Sequence, residues 1–465
     1  MRSAIGKVPG RGIPQRRERS SIFTALIIWV LIVIMIVPDG LYYGTAGSMP
    51  TEGSTTSRMI WLSLLACGVV VPLSRSAMTL KLFKQINPFL LLFIALAAAS
   101  MLWSIDPGVT LRRLVRVLTM VLDSVAFALV TWQTTRFQSV LRPVLTLMLM
   151  ASIIFVIAAP ELAIEQNDIA TLIGAWHGLA TQKNGLGSLA AIALILWLHA
   201  LLGKEKPWWL AGAGAAIALT CLIGSRSSSS IMGVAFACPL MLVMLRPPAG
   251  LRRYLPYMVV AFVAILLVYS LAVLNLLPGS SVLLSPITTL TGKDLTFSGR
   301  TAIWEILREH MALSPYVGSG YGAYWVLLPW SPSMIMKDRL YFYPTEGHNG
   351  YLDVMNDLGY LGAICLLGYL VTYLRQGLRL LAAVRPQGIL YLTLLFEQLV
   401  ANLTESRWFN VLSCEFTIMT IATVAMGRTL LDLNTQRQAA AAARTANRPA
   451  GAAVGRKVWG TRRPV

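Results

Sequence analysis

Apolar runs of about 16 to 22 residues recur twelve times along the chain, and that repetition limits the fold more than any other feature. A helix needs ~20 apolar residues to cross ~30 Å of hydrocarbon, and in lipid it satisfies its own backbone groups. The runs lie near 22–37, 59–73, 88–103, 114–131, 144–159, 185–202, 207–223, 229–245, 256–277, 350–373, 388–403 and 411–430. Of 465 residues, 56% are hydrophobic and only 13% are charged, about half the charge of a soluble chain. The pattern predicts an all-α polytopic membrane protein of about twelve transmembrane helices.

The net charge of +19 would suggest nucleic acid in a soluble protein. Here the basic residues sit mostly in short segments between apolar runs and in the two tails, the signature of cytoplasmic loops. With the N-terminus inside, 27 of the 39 basic residues fall on the cytoplasmic side, while 12 of them and about 15 of the 20 acids fall outside. Nucleic acid is therefore not expected as a partner. The first run follows Arg11, Arg16, Arg17 and Arg19 without a small-residue cleavage site, so it reads as a span rather than a signal peptide. The expected organisation is a basic cytoplasmic tail (1–20), helices 1–9 (21–277), an extracytoplasmic loop (278–349), helices 10–12 (350–430) and a second basic cytoplasmic tail (431–465). Residues 1–20 and 436–465 are expected to be disordered. Five cysteines, all in apolar runs and without CxxC spacing, predict neither disulfides nor a zinc site.

The outside cations run against the topology rule, so acids or an anionic ligand must hold them. Several stand in polar motifs at span mouths. Trp176 to Gly187 places His177, Lys183 and Asn184 before a span, where a helix N-terminus favours anions; a snorkelling lysine and an asparagine cap are the ordinary alternative. Arg226 sits in the turn Gly224 to Ser230, suited to gripping a phosphate or simply solvated. Ser298-Gly299-Arg300-Thr301 opens an amphipathic helix with Ile303, Trp304, Leu307 and Met311 on one face. Arg300 in its first turn adds to the positive helix end, which calls for an anion, unless it pairs with Glu305 or another acid. Glu346-Gly347-His348-Asn349 leads into the tenth span and offers a histidine able to take a proton near neutral pH. Arg113 is a further outside cation at a span mouth. His199 and His310 lack such context and read as structural. Asp123 and Glu397, acids inside spans, read by default as structurally paired.

The order Trp-x-Gly-x-x-x-x-Lys-Asn-x-x-Gly, Ser-Arg-Ser, Ser-Gly-Arg-x-x-Ile-Trp, Gly-x-Gly-Tyr-Gly and His-Asn-Gly-Tyr-Leu-Asp, from Trp176 to Leu370, resembles the O-antigen ligase and polymerase superfamily (Wzy/WaaL-type), and within it the ExoQ-like exopolysaccharide polymerases. The resemblance implies a GT-C-like helical fold in the bacterial inner membrane. It implies metal-independent glycosyl transfer from an undecaprenyl-diphosphate-linked glycan at the periplasmic face, without a cofactor. His348 corresponds to the general base and Arg300 to the donor-binding cation, with Lys183, Asn184, Arg226, His177, Arg113 and Asn349 as substrate-binding candidates. Flippase and chain-length-regulating proteins are the implied partners. Two positions depart from the pattern: Gln182 stands where many relatives have His, and His177 where Arg is expected. A ligase acting on lipid A-core shares the chemistry, and a transporter is a third possibility.

Overall fold

The computed structural model describes residues 15–37, 55–166, 172–248, 250–273, 300–326, 331–340 and 342–446. These form α1 (Gln15–Ile36), α2 (Thr55–Ser74), α3 (Ser76–Phe83), α4 (Pro88–Ala99), α5 (Pro107–Leu129), α6 (Arg136–Ala158), α7 (Pro160–Ala163), α8 (Lys183–Leu202) and α9 (Trp208–Gly224). They continue with α10 (Ser228–Leu245), α11 (Leu255–Val273), α12 (Arg300–Met311), α13 (Ile335–Leu340), α14 (Gly350–Ala383), α15 (Arg385–Ala401) and α16 (Cys414–Ala446). Among the described residues the β contribution is one isolated antiparallel bridge, Ile164 with Trp176.

Each of the twelve apolar runs falls on a helix, but length and composition alone qualify six to cross a membrane: α2, α6, α8, α10, α14 and α16. The bent pair α3 and α4, turned by 98° at a short break, makes up to seven. The other runs miss for identifiable reasons. α5 carries Arg112, Arg113, Arg116 and Asp123, and α9, α15 and the apolar parts of α1 and α11 are short. Capping fixes several starts. Asn87 accepts from Phe89 N–H and Asp106 from Val109 N–H, each followed by proline at the first helical position.

α8 and α15 are buried on nearly every side, and α5 and α16 along most of theirs, so these four form the centre of the bundle. α2 and α10 lie outside it, with Leu62, Val70, Leu73, Phe236 and Leu242 exposed, as a lipid-facing surface requires. α14 is not one straight rod. Gly359 has φ of +61° and ψ of −156°, and a Cβ there would strike the Tyr316 backbone. The freed amides of Tyr360 and Leu361 bond the carbonyls of Pro315 and Tyr316, so the kink docks the 315–317 loop onto the helix.

The predicted amphipathic helix is present as α12. Ile303, Trp304 and Leu307 are buried with Tyr324, Met336 and Leu352, and Met311 packs against them, a small apolar cap over the start of α14. Its proposed cap, Ser298, and the loop segment 278–299 lie outside the described residues. The described parts of the tails are helical, not disordered: residues 15–20 extend α1 and residues 436–446 extend α16.

Because consecutive helices run back and forth, polar residues collect at the two ends of the bundle. At one end Arg142 pairs with Glu205 at 2.7 Å, and His199 meets Glu205 at 3.3 Å while its Nε2 bonds the Pro386 carbonyl. His199 is thus structural, as is His310, which bonds Ser319 Oγ and packs on Tyr324. Glu397 has the structural partner expected of it, Arg407 at 3.5 Å. Asp123 does not: it is fully buried against Gly68 of α2, and neither carboxylate oxygen has a hydrogen-bond partner. The carboxyl instead lies against α2 at Gly68, where a Cβ would collide with its Oδ1.

Candidate active site

The opposite end brings together five separated segments: the starts of α8, α12 and α14, the α9–α10 turn and the α15–α16 loop. The turn carrying His348 is fastened from both sides. Asn349 caps α14 by accepting from Tyr351 and Leu352 N–H, donates its amide to the Leu403 carbonyl, and donates its own backbone N–H to Ser406 Oγ. Gly350 N–H reaches the carbonyls of Asn402 and Glu405. Trp304 Nε1 donates to the Gly347 carbonyl at 2.8 Å, and Asp353 accepts from Gly347 N–H and Trp325 Nε1. The chain is thereby forced through the left-handed region at His348, with φ of +49°. Arg226, in the facing turn, has the same φ. Neither is a glycine, and such conformations persist only where the surroundings impose them, often at functional sites.

Glu405 is the hub. One of its oxygens, Oε1, takes Asn184 Nδ2 at 2.8 Å and Arg300 Nη2 at 3.2 Å, with Ser229 Oγ at 3.4 Å. Its Oε2 lies 3.8 Å from His348 Nδ1, and Glu346 Oε1 lies 3.1 Å from the same nitrogen. Asn184 in turn accepts from Ser227 Oγ at 3.0 Å. Lys183, at the uncapped start of α8, is within electrostatic reach of Glu405, Glu165, Arg300 and Arg226. Arg226 donates Nη1 to the Ile173 carbonyl at 2.9 Å. Behind Glu405, buried Arg407 pairs with Glu397 and approaches Glu415 at 3.9 Å.

These charges set the protonation of the site. Burial alone would push the His348 imidazolium down. The contacts with Glu346 and Glu405 outweigh it and hold the ring up at about 10. Burial would likewise raise Glu405, yet His348, Arg407 and Arg300 hold it below the usual carboxylate range. His348 is therefore an imidazolium at neutral pH, with both carboxylates on Nδ1 and its Nε2 outside that pair. A carboxylate on one ring nitrogen fixes the tautomer and leaves the other for proton transfer. Glu346, His348 and Glu405 also present three ligand atoms within 4.8 Å of one another, close enough to hold a metal ion. Arg300 already supplies a cation to Glu405, so the geometry suits a guanidinium as well as an ion.

The structure gathers His348, Arg300, Asn184, Lys183 and Arg226 into one region. It corrects others. Asn349 is 1% exposed with its side chain committed to capping and to Leu403, so it positions the turn instead of facing a ligand. His177 is tied to its own turn, Nδ1–H donating to the Ala180 carbonyl. Arg113 lies against the adjoining cavity, under Gly322, whose φ of +68° and missing Cβ let the loop close over the guanidinium. The arginines expected outside are not bare cations: Arg300 meets Glu405, and Arg407 meets Glu397 and Glu415. Sequence reasoning missed Glu405. The available signal was an acid in Asn402-Leu403-Thr404-Glu405-Ser406-Arg407, two residues from a cation already assigned to the same side.

Long apolar helices around a buried polar cluster of histidine, carboxylates and arginine point to a multi-pass membrane protein with a charged cluster at one end of its bundle. Residues 213–367, which include Arg226, Arg300 and His348, match the O-antigen ligase family. The chain is also 28% identical over 295 residues to the exopolysaccharide production protein ExoQ of Rhizobium meliloti (strain 1021), covering 60% of this chain. It spans 62% of that relative's length. Residues 213–367 are thus similar to the O-antigen ligase family, and 295 residues of the chain to ExoQ.

Proposed function

We propose that the protein extends surface polysaccharide by joining oligosaccharide repeat units carried on undecaprenyl diphosphate, by metal-independent inverting transfer. The reaction runs at the periplasmic face of the inner membrane of a bacterium, with both termini cytoplasmic. The observation that carries this is the convergence of His348, Arg300 and Lys183, from three separate segments, around the single carboxylate of Glu405, with Arg226 beside Lys183.

The diphosphate of the donor lies among Arg300, Lys183 and Arg226, whose charges stabilise the negative charge that grows as it leaves. An acceptor hydroxyl attacks the anomeric carbon. Its O–H bond breaks and the proton passes to His348 Nε2. A new C–O bond forms at the anomeric carbon, and the bond to the diphosphate breaks with its electron pair kept by the phosphate oxygen. Single displacement inverts that carbon. For His348 to accept the proton it must first be neutral, so Glu346 and Glu405 both orient the ring and set the pH at which it works. The GT-C-like arrangement, the twelve-span count and the periplasmic placement of 278–349 belong to this reading. They are supported by the coincidence of every apolar run with a helix and by the charge distribution.

The ExoQ similarity favours polymerisation. The description of the matched family favours a second reading, ligation of the glycan to lipid A-core. Purified protein in nanodiscs, supplied with lipid-diphosphate oligosaccharide and nothing else, is expected to form a ladder of longer lipid-linked chains. His348→Ala and Arg300→Ala are expected to abolish the ladder while remaining in the membrane. A full ladder from both variants overturns the mechanism, and turnover only when lipid A-core is added selects the ligase.

A further inference from the structure

A cavity of about 280 Å³ adjoins the cluster, near the small end of ligand pockets, ~300 Å³. It touches Glu346, Glu405 and Asn184, whereas Arg300, Lys183, Arg226 and His348 do not line it. Glu346 and Glu405 are thus shared between two faces of different character. One face gathers cations. The other adds Asp353 and Asp357 from α14, with Arg113 from α5 and the aromatic rings of Tyr321 and Trp325. The second cation on this wall, Arg407, is already matched by Glu397 and Glu415.

The hydrogen-bonding state of these groups points to a ligand class. Asp357 uses Oδ2 to accept from Gly322 N–H at 2.8 Å, while its buried Oδ1 has no partner. Trp325 is held by Asp353, Nε1 to Oδ1 at 3.1 Å, which fixes the indole at the cavity wall. Carboxylate oxygens that only accept call for a ligand that brings donors. Aromatic faces call for an apolar ring surface. A pyranose ring offers both. A second carboxylate or phosphate would meet several acids and gain only Arg113.

We infer that this cavity is the acceptor subsite, and that it takes a neutral, polyhydroxylated sugar ring beside the Glu346–Glu405 edge, while the donor diphosphate occupies the opposite, cationic face. Asp357 and Arg113 select the ring through its hydroxyls, and Trp325 stacks on it. The inference rests on the reading of the cluster as a glycosyl-transfer centre.

The test uses full-length protein in nanodiscs, a saturating lipid-diphosphate donor and a soluble oligosaccharide acceptor. Asp357→Asn removes the charge and keeps the shape. The expected result is a KM for the acceptor raised about tenfold, with donor-lipid affinity within twofold of wild type. Trp325→Leu is expected to do the same and serves if Asp357→Asn does not fold. Acceptors ending in a neutral hexose are expected to be used at least tenfold better than those ending in a uronic acid. An unchanged acceptor KM, an equal loss of donor affinity, or a preference for the uronic acid overturns the assignment. Should wild type transfer no sugar at all, the parent reading fails separately. Binding of the neutral oligosaccharide by saturation-transfer NMR, lost in Asp357→Asn, then still decides the cavity's role.

Discussion

Replacing Glu405 with glutamine isolates the electrostatic role of the hub. The side chain keeps its size and can still accept from Asn184, but it loses the charge facing His348 and Arg300. His348 is held at about 10 against an ordinary 6.5, which at 1.36 kcal/mol per pH unit is about 5 kcal/mol. Glu346 at 3.1 Å and Glu405 at 3.8 Å share that sum. The more distant carboxylate accounts for roughly one to two pH units. A histidine raised in the folded state stabilises fully below its unfolded value and ceases to do so as pH rises through its folded one. Glu405→Gln should therefore lower stability by about 1.5–3 kcal/mol at pH 6, and the deficit should shrink toward pH 10. The rate should follow: if neutral His348 is the base, wild-type activity climbs with pH up to about 10, and the variant's limb moves down by roughly one to two units. Thermal unfolding in detergent and initial rates from pH 6 to 10.5 measure both. A wild-type profile flat between pH 7 and 10, or a limb unmoved in the variant, refutes His348 as the base and leaves the carboxylates to accept the proton.

Other substitutions test neighbouring parts of the account. Asn349→Ala should lower stability by about 0.5–2 kcal/mol through loss of the α14 cap, with unchanged donor affinity in whatever fraction folds; a selective affinity loss would return Asn349 to the ligand. Arg300→Lys should retain less than a tenth of activity, because an ammonium cannot hold Glu405 and a phosphate with one planar fork, and near-normal rates would remove Arg300 from donor binding. Asp123→Asn should be neutral or stabilising, since no partner is lost; a destabilisation above about 2 kcal/mol would reveal one. At the other end of the bundle burial would raise Glu205, but His199 and Arg142 hold it down at about 2. Glu205→Gln should cost about 3 kcal/mol at pH 7, with the difference fading as pH falls from 4.5 toward 2. A deficit independent of pH would show packing, not charge, to be at work.

Helix positions and several members of the charged cluster were legible in the sequence for a simple reason. Burial in lipid or in a helical core imposes one composition over a whole run, so the apolar stretches marked helices without knowledge of their neighbours. Motif residues at span mouths marked Arg226, Arg300, Lys183 and His348 because cations there need an explanation. The kink at Gly359 was hidden, since the loop that docks into it lies over forty residues away in the chain, at Tyr316. The capping role of Asn349 and the place of Glu405 were hidden for the same cause. An asparagine beside a histidine and a glutamate in a short loop carry no mark of which will cap a helix and which will face the ring. That was decided when the 346–350 turn locked onto the 402–408 loop, placing one carboxylate between His348, Arg300 and Asn184. Local pattern determines which segments are helical and which residues are costly where they stand. Only tertiary packing decides which charges end up within 4 Å of one another, and with them the proton affinity of His348.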